Sequence, residues 1–329
     1  MSHIAHLTIG AENAPFSFGR RMRYLITGGT GSFGQAMTKR LLSDPSTETV
    51  RIFSRGELRQ SQMAESLKDD RLRFLIGDVR DRRRLLRAVR GVDMVLHAAA
   101  LKRIEVAEYN PDEAIKTNVI GSQNVIECAM EMGVSKCILI SSDKSCNPSN
   151  TYGATKMLAE RLFSQAPYSY GDPETVFLAV RYGNVAGSNG SVIPKFKELA
   201  AKGEPLQITH PSMTRFIIKM DEALDLVQLA LKEGESGEIF IKKLPAVLIL
   251  QLAQLVSKNI AITGIGPGEK MHECLVSRNE LCRTFDYGDH FIITPLMSNR
   301  EQGGSKAVQE PFTSDQARRM TEEEMRQLL

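Results

Sequence analysis

Between residues 23 and 140, five short apolar runs alternate with amphipathic stretches, and this rhythm restricts the fold more tightly than any single motif. The patterning predicts buried strands at 24–27, 49–53, 73–76, 93–97 and 136–140, and helices at 32–42, 57–67, 82–89 and 112–132. Strands that are apolar almost throughout need cover on both faces. A parallel sheet with helices above and below provides it. Right-handed crossovers then give an α/β fold built on a doubly wound parallel sheet.

After residue 181 the rhythm loosens, and Gly- and Pro-containing loops appear at 187–194, 203–211 and 264–268. The expected organisation is a disordered extension at 1–21, with Met22 as the functional start, and a nucleotide-binding domain at 22–180. A smaller α/β substrate-binding part follows at 181–298, interleaved with the same sheet, and then a tail at 299–329 with a helical end from 314.

Composition removes several classes of function. With 42% hydrophobic and 25% charged residues the chain is globular rather than disordered. Its 42 Lys+Arg against 39 Asp+Glu leave a net charge of only +3, which makes no electrostatic case for nucleic acid or a membrane surface. The arginine run at 80–90 is interleaved with Leu85, Leu86 and Val89 and reads as a solvated helix face. No apolar run reaches the roughly 18 to 20 residues that span a bilayer. Five cysteines, at 128, 137, 146, 274 and 282, form no CxxC pair, so neither a disulfide framework nor a zinc site is expected, and a reducing cytoplasm fits. Six histidines without HExxH or HxH spacing give no metal site.

The first strand runs into Thr27-Gly28-Gly29-Thr30-Gly31-Ser32-Phe33-Gly34. Glycines spaced three apart allow a tight turn, close approach of main-chain amides to a pyrophosphate, and packing of the next helix on the strand. This is the dinucleotide loop of a Rossmann domain. After the second strand, where a carboxylate would hold the ribose hydroxyl of NAD, stand Ser54 and Arg55. A guanidinium suits a 2′-phosphate, so NADP is favoured over NAD. Asp78 and Val79 follow the third strand, with Asp78 placed for the adenine amino group. Ala98 to Ala100 are small enough for the cofactor to lie across the strand ends.

The fifth strand delivers Ser141-Ser142-Asp143-Lys144, and Tyr152 and Lys156 follow four residues apart on one helix face. A phenol titrates near pH 10, but a nearby ammonium and a cationic nicotinamide favour phenolate. Ser142 is placed to hydrogen-bond the same hydroxyl. The set suits hydride transfer between a carbinol and NADP.

Taken together, TGGTGSFG (27–34), FSRGELRQSQM (53–63), GDVRD (77–81), HAAALK (97–102), AEYNP (107–111), SSDKSCNPSNTYGATK (141–156), VRYGNVAGSNGSVIP (180–194), MTRF (213–216) and PGEKMHE (267–273) resemble the extended short-chain dehydrogenase/reductase superfamily. The closer likeness is to the inverting UDP-N-acetylglucosamine 4,6-dehydratases of bacterial pseudaminic-acid and capsule synthesis. The Asp-Lys pair shortly before the Tyr is particular to that group. Retaining dehydratases carry Asp-Glu there, and 4-epimerases lack the pair.

The resemblance implies transient oxidation of UDP-N-acetylglucosamine at C4, loss of water across C5–C6 and reprotonation of C5 from the opposite face. Lys144 would be the C5 base, given burial and positive neighbours that lower its pKa, and protonated Asp143 the acid that expels water. Lys102 would meet phosphate or sugar oxygens, Asn184 the nucleotide sugar, and Arg215 and Glu269 the UDP end. A homo-oligomer, hexamer or dimer, is implied as well. Gly266 stands where the family has arginine before Pro-Gly-Glu-Lys, and Gly56 where it has an acidic residue. The expected function is that of a soluble, NADP-dependent inverting dehydratase. The rivals are a 4-epimerase or retaining dehydratase and, in another class, a non-catalytic NADP-sensing scaffold.

Overall fold

The computed structural model describes residues 21–171, 174–188, 190–297 and 306–329. The expected extension lies almost wholly outside them. β1 (Met22–Thr27), β2 (Thr47–Ser54), β3 (Leu72–Ile76), β4 (Met94–His97), β5 (Lys136–Ile140) and β6 (Val176–Arg181) form a parallel sheet in the order β3-β2-β1-β4-β5-β6. Ile239–Lys242 extends it in parallel beside β6, and His290–Ile293 then pairs antiparallel with that strand. Leu25, Ile26, Val95, Leu96, Ile138 and Leu139 are fully buried, as strands covered on both faces require.

The strand order reverses between β1 and β4, so their carboxyl ends open a crevice at the point where the chain switches direction across the sheet. α1 (Ser32–Leu42) follows β1 directly at that point.

The predicted helix at 112–132 is present and continuous, with a π-turn inside it. Pro111–Ala114 and Gly121–Glu131 are α-helical, and Ile115–Ile120 is a π-turn between them. Such insertions are rare and gather at functional sites. A helix at Ile104–Tyr109 was not foreseen. At the C-terminal end only Glu322–Arg326 is α-helical, not the whole stretch from 314.

The second part rests on three short strands, Ala246–Leu248, Thr214–Ile218 and Asn184–Val185, with helices Val192–Ala201 and Ile249–Val256. The last residues pack into it: Phe312–Thr313 pairs with Cys274–Val276, and Met325 is buried beside Ile217 and Val247. Among the described residues no helix is long and apolar enough to cross a membrane.

Candidate active site

At the end of β1 the chain turns on Gly28 with φ +66°, and a Cβ there would stand 2.8 Å from the Ala99 amide. Only glycine fits both the left-handed backbone and that approach. α1 starts at Gly31 without any side-chain cap, so the positive end of the helix faces the crevice. Thr30 is buried and its carbonyl is fixed by Gln35, while Phe33 packs on the core. Ala98 donates its amide to the Thr27 carbonyl, which keeps β4 level with the loop. A loop of this shape fits a pyrophosphate.

At the end of β2, the Arg55 side chain is mostly exposed and lies 3.9 Å from Asp78. Asp78 takes two hydrogen bonds from the Arg80 guanidinium, which holds its carboxyl below the usual range although burial works the other way. Ser54 accepts from Gln60, and Val79 is buried against Gly121.

Ser142 caps a single 3-10 turn, Asp143–Ser145, with its hydroxyl oxygen accepting from the Lys144 amide at 3.3 Å. The turn is pinned from behind because the Asp143 amide donates to the Tyr182 carbonyl. Asn150 caps the following helix, Thr151–Ser169, by accepting from the Gly153 amide. A Cβ at Gly153 would run into the Lys144 carbonyl. The helix carrying Tyr152 is thereby seated on the turn carrying Asp143 and Lys144.

The side chains converge. Lys144 Nζ donates to Asp143 Oδ1 at 2.8 Å and to Asn184 Oδ1 at 2.9 Å. Ser142 donates to the same Asp143 oxygen at 2.8 Å. Asp143 is fully buried, and its second oxygen has no partner among the described residues. Burial pushes its carboxyl up, against the pull of Lys144. Tyr152 is likewise pushed up by burial, with Lys144 and Ser142 pulling down. Lys156 is buried, donates to the Ile140 carbonyl at 2.7 Å, and is drawn down to about 8 by burial.

Lys144 departs from expectation. Burial does act to lower its pKa, but Asp143 and Glu273 outweigh burial and hold the ammonium above its ordinary range. The neighbours that decide its charge are acidic, not basic.

Arg215 pairs with Glu269 at 3.3 Å, and Glu269 also accepts from Thr209. Lys102 stands on an exposed stretch before the helix Ile104–Tyr109 and is not among the residues that ring Asp143 and Lys144.

Residues 24–295 match the polysaccharide biosynthesis protein family. The chain belongs to this family. It is 47% identical over 84% of both chains to the UDP-N-acetylglucosamine 4,6-dehydratase (inverting) of Campylobacter jejuni. It is 41% identical to the UDP-glucose 4-epimerase of Rickettsia akari, over 93% of this chain and 94% of that protein. Among solved structures, Pen from Bacillus thuringiensis is 38% identical with a TM-score of 0.87, over 94% of this chain and 97% of that one. DesIV, a dTDP-glucose 4,6-dehydratase from Streptomyces venezuelae, shares the fold at 23% identity and a TM-score of 0.69, over 76% and 87%.

Three residues in this family member's site were not singled out by sequence. Glu273 is buried, 3.6 Å from Lys144, 3.8 Å from Arg215 and 3.6 Å from Lys270. Burial works against its charge, but those three cations keep it ionised. It lies within the PGEKMHE run, the one signal that could have drawn attention to it. Asn118, in the π-turn, bonds both main-chain groups of Leu101 and donates to Thr155 Oγ1 at 2.9 Å, which ties the segment after β4 to the Tyr152 helix. His97 is buried and, pushed down to about 3 by burial, is neutral. Ser122 donates its proton to the Asn118 carbonyl, so His97 Nε2–H donates to Ser122 and Nδ1 accepts from Thr27. One hydrogen-bonded chain thus links the cofactor loop to the π-turn.

Proposed function

We propose that the chain is a UDP-N-acetylglucosamine 4,6-dehydratase that inverts C5, giving the 4-keto-6-deoxy L-arabino sugar nucleotide. The observation that carries this reading is the 2.8 Å contact between Lys144 and a fully buried Asp143, beside Tyr152 at the end of the central sheet. The likeness to the Campylobacter jejuni enzyme supports it.

A nicotinamide cofactor held on the loop after β1 would supply hydride transfer, out of sugar C4 and back to C6, and would end as it began. Arg55 and the lack of a carboxylate at the end of β2 favour the 2′-phosphorylated form, NADP. Tyr152, as the phenolate that a cationic nicotinamide beside it would favour, receives the proton of the C4 hydroxyl. The ketone at C4 acidifies the C5 proton, and Lys144 can remove that proton only as the neutral amine.

The Asp143–Lys144 contact supplies one. Moving the Nζ proton across 2.8 Å to the carboxylate turns an ion pair into an amine and a carboxylic acid. Sugar packed over the turn excludes water, and a dry site favours the neutral pair. Lys144 then takes the C5 proton, and Asp143 gives its own to the departing C6 hydroxyl, which leaves as water. Return of a proton to C5 from the other face inverts the centre. Asn184 holds Nζ in line through its 2.9 Å contact. On this reading Arg215 and Glu269 serve the UDP end, and Lys102 meets phosphate or sugar oxygens.

The relation to the Rickettsia akari protein favours one second reading, 4-epimerisation of a UDP-sugar without loss of water. Incubation of the protein with UDP-N-acetylglucosamine under proton NMR separates the two. A new C6 methyl doublet supports dehydration. A C4 epimer that keeps its C6 hydroxyl supports epimerisation.

A further inference from the structure

Behind the acid–base group two thiols meet. Cys146 Sγ lies 3.2 Å from Cys274 Sγ, although the two residues sit in different halves of the chain, and both are buried. Each adjoins the site. Cys146 ends the turn Asp143–Ser145, where its amide donates to the Asp143 carbonyl, and Cys274 directly follows Glu273. Cys146 also lines a cavity of about 120 Å³ shared with Glu160, Arg181, Ser277 and Glu280. Water occupies about 30 Å³ per molecule in the liquid, so a polar cavity of that size admits a molecule as small as hydrogen peroxide. Of the two, Cys146 lines the cavity, while the Cys274 thiol also donates to the Val276 carbonyl at 3.2 Å. The thiolate is the nucleophilic form.

We propose that Cys146 and Cys274 are an oxidation site, at which a peroxide converts the two thiols into a disulfide that bridges the Asp143–Lys144 turn to the Glu273 strand. One of the two sulfurs, as thiolate, attacks a peroxide oxygen and displaces hydroxide, leaving a sulfenic acid. The other sulfur then attacks the oxidised one, and the hydroxyl leaves as water with the second thiol's proton. Two thiols and one hydrogen peroxide thus give one disulfide and two waters. An S–S bond is about 2.0 Å long, so the sulfurs close by about 1 Å. That movement is passed to Lys144 and Glu273, which are now 3.6 Å apart. Its effect on turnover rests on the dehydratase reading. The oxidation itself does not.

Cys282 is exposed and would react in competition, so the test uses the full chain carrying Cys282→Ser. The protein is exposed to hydrogen peroxide, alkylated under denaturing conditions, digested without reductant and mapped by mass spectrometry. The expected result is a Cys146–Cys274 linked peptide pair that dithiothreitol removes, while Cys128 and Cys137 stay alkylated. Unlinked Cys146 and Cys274 under conditions that oxidise an exposed thiol overturn the proposal, whether or not the protein turns over any sugar. Turnover of UDP-N-acetylglucosamine is expected to fall at least tenfold on linkage and to recover on reduction. Cys146→Ser and, independently, Cys274→Ala are expected to keep their activity in peroxide. Equal loss of activity in either variant overturns the link to the site.

Discussion

Lys144 Nζ lies 3.6 Å from Oε1 of Glu273, a buried carboxylate delivered from the opposite part of the chain. Asp143 and Glu273 together hold the Lys144 ammonium above its ordinary range, and Glu273 adds to the burial that pushes the Asp143 carboxyl up. One distant residue therefore acts on the titration of both members of the pair.

Replacing Glu273 by glutamine removes that negative charge. Both groups are expected to titrate lower in Glu273→Gln, because less negative potential acts on each. The pH–rate profile moves to lower pH on both limbs. The variant is also less stable, on the order of 3 kcal/mol, since breaking a buried ion cluster leaves cations without their partner. Rate profiles and denaturant titration check the two effects separately, and a profile that stays in place contradicts the role given to Glu273.

Lys156 carries a cost that pH exposes. Burial brings it from 10.5 to about 8, so the folded state disfavours its charge. A depressed lysine pKa lowers stability fully below pH 8, and the penalty fades as pH rises toward 10.5, where the unfolded chain also loses the proton. Lys156→Met is therefore expected to exceed the wild type in stability at pH 7 by about 1–2 kcal/mol, after loss of the bond to the Ile140 carbonyl. The gap narrows by pH 10, and the variant is inactive. Unfolding free energies at the two pH values measure it, and a gap independent of pH contradicts the assignment.

Much of this arrangement was legible in the sequence because it is local. The apolar rhythm marks β1, β4 and β5 most clearly, since a strand buried on both faces leaves no room for polar residues. Gly28 could be read because a left-handed turn next to the Ala99 backbone admits nothing else. Ser142, Asp143, Lys144 and Tyr152 lie within a dozen residues, so their convergence follows from a strand end and the first turn of a helix. Glu273 and Asn118 were missed because their partners, Lys144 and Leu101, are set by tertiary packing and leave no periodic trace. The Lys144 shift runs against the expectation because adjacent Asp143, with Glu273 added from far along the chain, outweighs burial. The π-turn at Ile115–Ile120 sits inside an unbroken helical pattern, because one extra residue per turn hardly alters the apolar spacing.

Arg55 tests the choice of cofactor. Its side chain is mostly exposed and is free to rotate away from its 3.9 Å approach to Asp78. Arg55→Ala is expected to weaken NADP about tenfold, near 1.4 kcal/mol, and to leave NAD within a factor of two. Calorimetric titration with both dinucleotides checks this, and equal losses for the two contradict a 2′-phosphate contact.

The most direct test of the central claim is the fate of C5 in heavy water. UDP-N-acetylglucosamine is incubated with the wild type and with Lys144→Ala, and the products are read by NMR. The account predicts a 6-deoxy-4-keto product from the wild type with deuterium at C5 and the L-arabino configuration, and neither methyl product nor exchange from Lys144→Ala. Retention at C5, or undiminished exchange without Lys144, would contradict it.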